Sequence, residues 1–333
     1  MRLGSTEIHS DSVYFIAEAG SNHLGEIEHA KRLASVAAEA DADAVKFQNF
    51  VPEELLSGDE SELQELRELA LSRGEMELLQ EHVHSLDINL LSTPFDATSA
   101  TLLDDLGVPA IKIGSGDLNN YRLLEYIARF GRPMIVSTGM ATMEEIETAE
   151  RRIRAVDPDI DLVFLHCVSA YPTNISDQNL RMISDLKSHT DGKVGFSDHS
   201  VEVETSGLAV AMGATVIEKH FTLSRRLPVP DASVSLEPDE LSRAVEIARN
   251  AAAAKGDDEK RPVDAEIENK QTFRKSVHAT TDIDANSTIS EEDIGLLRPA
   301  DGLPPIMIDI VVGKETKRAI SAGDPIRRED LKS

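Results

Sequence analysis

The sequence predicts a TIM-type (β/α)8 barrel followed by a small β domain, and three observations carry that prediction. Over about the first 250 residues, short apolar, β-rich runs alternate with longer helical patterns. Eight such runs are present, the number that a barrel of this type needs. The C-terminal segment abandons the alternation and carries an internal repeat instead.

The runs, in order, are VYFIAEA (13–19), DAVKFQ (43–48), INLLSTP (88–94), AIKIGS (110–115), PMIVSTG (133–139), LVFLHC (162–167), KVGFSD (193–198) and TVIEKHF (215–221). Each is continuously apolar, as expected of strands buried on both faces. Amphipathic stretches such as EIEHAKRLASVAAEA, TMEEIETAERRIRAV and VEVETSGLAVAMG lie between them. One longer insertion, 52–85, predicts two helices. An open doubly wound sheet is the alternative arrangement. It lacks support, because no glycine-rich fingerprint follows the first strand.

Residues 251–275 are charged and weakly patterned and read as a helix end followed by a linker. The expected organisation is a barrel over 1–255, a linker over 256–275 and a small domain over 276–333. In that domain Ile283-Asp284-Ala285-Asn286 leads to Ile289 and Glu292-Asp293-Ile294. The same pattern returns 37 positions later, as Ile320-Ser321-Ala322-Gly323 leading to Ile326 and Glu329-Asp330-Leu331. Asn286 and Gly323 both suit left-handed turns, so each copy reads as strand, turn, strand and a short acidic turn. A unit this small is marginal alone and gains from docking.

Composition narrows the function. Thirty-four basic residues against sixty acidic ones give a net charge of −26. Such a surface repels nucleic acid and anionic membranes. It also repels an anionic substrate unless the site gathers its own cations. Lysine is scarce, 13 against 21 arginines, and with the net charge this points to a salt-adapted, halophilic cytoplasm. An ordinary acidic enzyme is the blander reading. No apolar run is long enough to span a membrane, and the N-terminus lacks a signal-peptide pattern. A single cysteine, Cys167, rules out an intrachain disulfide. Both features favour the cytoplasm.

A barrel of this type works at the C-terminal ends of its strands, and the polar residues fall there. They include Glu18, Ser21, Asn22 and His23 at and after the end of the first strand, then Lys46, Gln48, Ser92, Thr93, Lys112 and Ser115. Ser169, Tyr171, Ser197, Asp198, His199, Glu218, Lys219 and His220 follow. Charges inside apolar runs are costly unless paired or functional. Lys46, Lys112 and Lys219 therefore form a notable cluster, and Lys46 with Lys112 reads as an inward anion-binding pair. The alternative is that they snorkel to the rim or pair with Glu18 or Glu218. Ser115 and Ser197, beside glycines, can add donors to a phosphate, or can simply be turn residues. His199 and His220 end neighbouring strands and can hold a divalent metal while leaving positions open for water and substrate. Two structural, hydrogen-bonded histidines are the alternative, since no short ligand motif is present. Asp198 and Glu218 are the expected partners that fix a histidine tautomer. His23 reads as an acid or base or as a capping residue. Cys167 reads as a small buried hydrophobe.

In chain order, FIAEAGSNHLG, DAVKFQ, STPFD, IKIGSGD, STGMAT, LHCVSAYPT, GFSDHS and IEKHFT resemble the sialic acid synthase family. The C-terminal part, including LLRPADG, resembles the antifreeze-like (SAF) domain. The resemblance implies a TIM barrel, a β-clip C-terminal domain and a domain-swapped homodimer. It implies a reaction of phosphoenolpyruvate with an N-acylated amino sugar at a divalent metal. Mn²⁺ is the first expectation, and Mg²⁺ or Co²⁺ also suit. Carried onto this sequence, Lys46, Thr93, Lys112, Ser115 and Ser197 match the phosphoenolpyruvate pocket, with Gln48 beside it. His199 and His220 match the metal ligands. Glu18, Tyr171 and Asp231 match residues near the sugar, and Arg298 matches an arginine that a partner's small domain supplies. Ser169 stands where some members carry an asparagine, and Val229 where members often have glycine. Members take N-acetylmannosamine, a 2,4-diacetamido-6-deoxymannose or its altrose isomer. The competing readings are a metal-independent Schiff-base aldolase using Lys112, and a non-catalytic sugar- or ice-binding protein.

Overall fold

The computed structural model describes residues 1–4, 6–9, 12–256 and 259–332. The chain separates into two compact units, Met1–Asp257 and Asp258–Ser333. The first opens on a short antiparallel hairpin, β1 (Arg2–Leu3) and β2 (Thr6–Glu7). Eight parallel strands follow among the described residues: β3 (Tyr14–Gly20), β4 (Ala44–Asn49), β5 (Asn89–Pro94), β6 (Ile111–Ile113), β7 (Met134–Ser137), β8 (Leu162–Cys167), β9 (Lys193–Asp198) and β10 (Val216–His220). They hydrogen-bond in the order β5-β4-β3-β10-β9-β8-β7-β6. β5 and β6 pack against each other, which brings the sheet round into a nearly closed barrel. The doubly wound alternative is thereby overturned.

Strand alternation sorts the side chains into two cores. Tyr14, Ile16, Ala44, Leu91, Ile135, Val163, Leu165 and Val216 fill the inside, joined by Leu3 and Ile8 from the N-terminal segment. Phe15, Val45, Phe47, Val136, Phe164, Phe196 and Ile217 point outward into the helix layer. Burial of both faces explains why the strands lack polar alternation. The amphipathic stretches form helices where expected, at Ile27–Glu39, Met143–Val156 and Glu204–Ala211. Residues 52–85 hold three helices, not two: a single turn at Pro52–Leu55 precedes Glu60–Leu69 and Arg73–His84. Asp59 and Ser72 each start a capping box, and these separate helices that composition alone would merge.

Gly195 on β9 sits against β10. An added Cβ would lie 2.3 Å from Val216 O and 2.5 Å from Leu165 Cδ2. Backbone cannot yield as a side chain can. Gly195→Ala should therefore destabilise the barrel by about 1–3 kcal/mol, the usual result of overpacking, read as a lower urea midpoint.

In the second unit, part of the presumed linker is ordered: Asp264–Phe273 is a helix with no buried residue. Its Ala, Glu, Lys and Gln are good helix formers, and this local propensity outweighs the weak hydrophobic pattern. β11 (Ser276–Ala279) and β12 (Ile294–Leu297) pair antiparallel. The repeat is visible as symmetry. Asn286 (φ 61°) and Gly323 (φ 92°) occupy matching left-handed turns. Ile283 and Ile320 pair with each other, N–H to C=O both ways, at 2.8 and 2.9 Å. The acidic turns close alike. Ser290 N donates to Asp293 at 2.8 Å, and Arg327 N donates to Asp330 at 2.7 Å.

Candidate active site

A cavity of about 480 Å³ opens at the C-terminal ends of the barrel strands. It is lined wholly by first-unit residues. Thirteen of the sequence-derived candidates line it: Glu18, Lys46, Gln48, Thr93, Lys112, Ser115, Ser169, Tyr171, Ser197, His199, Glu218, His220 and Asp231. They come from seven strand ends and from the loop after β10. Alternation explains the grouping. Glu18, Lys46, Lys112, Ser197 and Glu218 all sit at inward positions one layer above the apolar interior.

Lys46 is the hub of a buried charge network. It pairs with Glu18, lies 3.6 Å from Glu218 and donates to Thr93 Oγ1 at 3.0 Å. Lys112 donates to Ser137 Oγ at 2.6 Å and to Ile113 O at 3.0 Å, and lies 3.6 Å from Glu218. Ser197 donates to Glu218 at 2.8 Å. Burial pushes the Glu18 carboxyl up, and Lys46 offsets this only in part. Burial also penalises the Glu218 carboxylate, but Lys112 and Lys46 outweigh it and hold Glu218 well below the usual range. Burial pulls Lys46 down, yet Glu18 and Glu218 lift it above normal. For Lys112 burial wins, and its ammonium is held below the usual lysine range. Neither lysine snorkels: both are buried and paired. With both lysines charged, the lining still carries three carboxylates, from Glu18, Glu218 and Asp231, against two ammonium groups.

The two imidazoles stand side by side, 5.5 Å between ring centres. His199 Nδ1 lies 2.7 Å from Val168 O, so it carries the proton and Nε2 keeps its lone pair. Nε2 faces the Tyr171 hydroxyl at 3.1 Å. Burial and the neighbouring His220 hold the His199 pKa at about 4, so the ring is neutral. His220 Nδ1 has no hydrogen bond but lies 3.4 Å from Asp231 Oδ2. Burial lowers His220, but Asp231 and Glu18 outweigh it and lift its pKa above the usual histidine range. Two neighbouring imidazoles in a cavity with one surplus carboxylate fit a divalent cation, which would take the place of the His220 proton. Among the described residues, no group of three or more His, Cys, Asp or Glu is arranged as metal ligands.

Asp231 is held by a staple that the sequence did not reveal. Asn22 Oδ1 accepts from Asp231 N at 3.1 Å, while its amide donates to Phe221 O and Ser235 Oγ. Gly20 clears the space beside it. With φ +53°, an added Cβ would stand 2.9 Å from Asp231 Oδ2 and 3.3 Å from Glu18 Oε1.

Several expectations need correction. Lys219 is not part of the lysine cluster. It points outward, fully buried, and pairs with Asp198 at 2.5 Å. Asp198 is occupied by Lys219, Thr205, Gln178 and Ser200 N, and Glu218 by the site lysines and Ser197. The atoms facing the two Nδ1 positions come instead from Val168 and Asp231. His23 is enclosed, its Nδ1 accepting from Gly25 N, and it does not line the cavity. Ser92 turns away to Asn49. Cys167, by contrast, is buried as expected, with Sγ 3.1 Å from Ser115 Oγ. Val229 is buried and does not line the cavity. Ser169 Oγ is buried and unpartnered. Arg298 belongs to the second unit, where its guanidinium lies 5.8 Å above the Phe273 ring. Ser137, Phe95 and Met140 line the cavity and were not anticipated. Ser137 obeys the same strand-end rule as the others and was legible there.

Comparison with known proteins agrees with this arrangement. The NeuB family matches residues 33–260, and the SAF domain matches residues 274–332. The N,N'-diacetyllegionaminic acid synthase of Legionella pneumophila is 37% identical, covering 97% of this chain and 96% of that protein. The pseudaminic acid synthase of Campylobacter jejuni is 35% identical, covering 96% of each. A crystal structure of N-acetylneuraminic acid (sialic acid) synthetase from Leptospira borgpetersenii, in complex with citrate, superposes with a TM-score of 0.77 at 37% identity. The match covers 81% of this chain and 94% of that one.

Proposed function

The chain belongs to the NeuB family, and on that premise we propose that it condenses phosphoenolpyruvate with an N-acylated amino-sugar aldehyde. The products are a nonulosonic acid and phosphate. One observation carries the reading. A single cavity gathers two buried lysines, four hydroxyl side chains around them and two adjacent imidazoles.

Each group has a task in that reaction. Lys46 and Lys112, with Thr93, Ser115, Ser137 and Ser197, hold the phosphate and carboxylate of phosphoenolpyruvate. His199 and His220 would hold a divalent metal, Mn²⁺ first, which supplies Lewis-acid polarisation of the sugar carbonyl when bound. A dication also turns the surplus negative charge of the lining positive, which an anionic substrate needs. Carbon 3 of phosphoenolpyruvate bonds to the aldehyde carbon, water adds at carbon 2, and the bond from carbon 2 to the phosphate oxygen breaks. Glu18, paired with Lys46, faces the sugar and helps move a proton there. Tyr171 and Asp231 line the sugar's side, and Gln48 stands beside the phosphoenolpyruvate pocket. Arg298, exposed and without a polar partner among the described residues, is the group a second copy would offer to the sugar's acyl substituent.

The test is phosphate release from phosphoenolpyruvate in molar KCl with Mn²⁺. N-acetylmannosamine and the two diacetamido sugars are offered in turn, with and without EDTA. Sugar-dependent, EDTA-sensitive release is expected with one of them. Folded protein that releases none with all three sinks the proposal. Lys112, with its lowered pKa, is the one feature that favours a Schiff base. EDTA-resistant turnover with a borohydride-trapped adduct on Lys112 would decide for that chemistry.

A further inference from the structure

Among the polar side chains that the second unit buries without a task in the proposed reaction, Thr316 and Asp330 lie elsewhere in the repeat, while Ser276 and His278 stand together on β11. Burying polar groups in so small a unit is unfavourable unless their hydrogen bonds are made. Here they are made, and all but one converge on one loop. Ser276 Oγ donates to Pro299 O at 2.8 Å and accepts from Gly302 N at 2.9 Å. His278 Nε2 lies 3.1 Å from the same Pro299 oxygen and 3.0 Å from Ser276 Oγ. Its Nδ1 is fixed on the far side, 3.0 Å from Gly323 O in the left-handed turn of the second repeat. The rest of the loop is tied as firmly. Ala300 N donates to Gln271 O at 2.8 Å, and Arg327 Nε donates to Asp301 O at 3.1 Å.

The side chain at the head of this loop is Arg298. It is exposed, stacks on Phe273 and makes no hydrogen bond or ion pair among the described residues. A loop whose backbone is held at four consecutive residues, carrying a cation with its donors unused, is a preorganised anchor. We propose that Ser276 and His278 are positioning residues that set the Arg298 loop for the amino-sugar substrate. This rests on the role given to Arg298 above. The bland alternative is that the pair only stabilises the unit.

The experiment is a double-mutant cycle on the full-length protein. Arg298→Ala, Ser276→Ala and His278→Phe are compared singly, and each of the latter two is combined with Arg298→Ala. Steady-state constants are measured for both substrates, with thermal melting as a control. Ser276→Ala should raise the sugar KM by roughly tenfold, the worth of one well-placed hydrogen bond. The phosphoenolpyruvate KM should stay unchanged. In the Arg298→Ala background Ser276→Ala should add nothing, because the group it positions is gone. His278→Phe, which keeps a ring in the core, should behave alike if Ser276→Ala fails to fold. Effects that add independently of Arg298, or a lower melting temperature with unchanged sugar KM, overturn the inference. Wild-type kinetics in Arg298→Ala would overturn the role of Arg298 itself, a separate result.

Discussion

Lys46→Met should lower sugar-dependent phosphate release by at least about a hundredfold, the usual penalty for removing one preorganised electrostatic group. Lys46 is almost wholly inaccessible and holds Glu18, Glu218 and Thr93 together. Removing its charge deletes half of the cavity's positive charge, so phosphoenolpyruvate meets three carboxylates and one ammonium. The fold must also respond. Breaking a buried ion pair from one side costs about 3–5 kcal/mol, because the other charge is left unpaired. Lys46→Met alone would therefore lose activity and stability together, and the two losses would be hard to tell apart. Adding Glu18→Gln separates them. The amide needs no counter-ion, so the double variant should regain much of the lost melting temperature. It should not regain phosphate release, since the lysine is still missing, and Glu18→Gln alone, measured beside it, gives the share of the loss that belongs to Glu18's own proton transfer. A double variant that recovers both would mean that Lys46 serves the fold and not the substrate.

The sequence and the structure part company in an instructive way. The barrel was legible because every strand is apolar on both faces, so Tyr14–Gly20 and the strands after it announce themselves as continuous runs. The small unit was legible because Ile283 and Ile320 repeat at a fixed interval and then pair in space. Lys46 and Lys112 were legible as charges in apolar runs. Lys219 obeyed the same rule and misled, because it lies one residue from His220 and alternation turns it outward to Asp198. Continuous apolar runs hide that phase, since no polar alternation marks which face is inward. The histidine partners were missed for another reason. His199 is oriented by the backbone oxygen of Val168, and a carbonyl leaves no mark in a sequence. The Asn22 staple on Asp231 joins residues 209 apart, so only the closed barrel reveals it. Pairing across such distance was beyond reach, while residue type at a strand end was not.

His199→Ala should abolish both Mn²⁺ binding and sugar-dependent phosphate release while the barrel stays folded. Its imidazole is held by two hydrogen bonds, to Val168 O and to the Tyr171 hydroxyl at the cavity mouth, and losing them costs about 1–2 kcal/mol. The ring stacks against Tyr171 at 4.2 Å between centres, a contact at the cavity rim and not in either apolar core. The melting temperature should therefore fall little. Metal affinity should fall by more than about a hundredfold, beyond the 10–100-fold typical of losing an outer partner, because one of two protein ligands is gone. Asp231→Asn provides the graded comparison. It keeps His220 in place, removes the charge 3.4 Å from Nδ1, and should weaken Mn²⁺ within that smaller range. Free Mn²⁺ is counted by its electron paramagnetic resonance signal, so the readout does not depend on turnover. If His199→Ala bound Mn²⁺ like the parent protein, the paired imidazoles would be structural. The cation that the three lining carboxylates call for would then have to be sought among Glu18, Glu218 and Asp231.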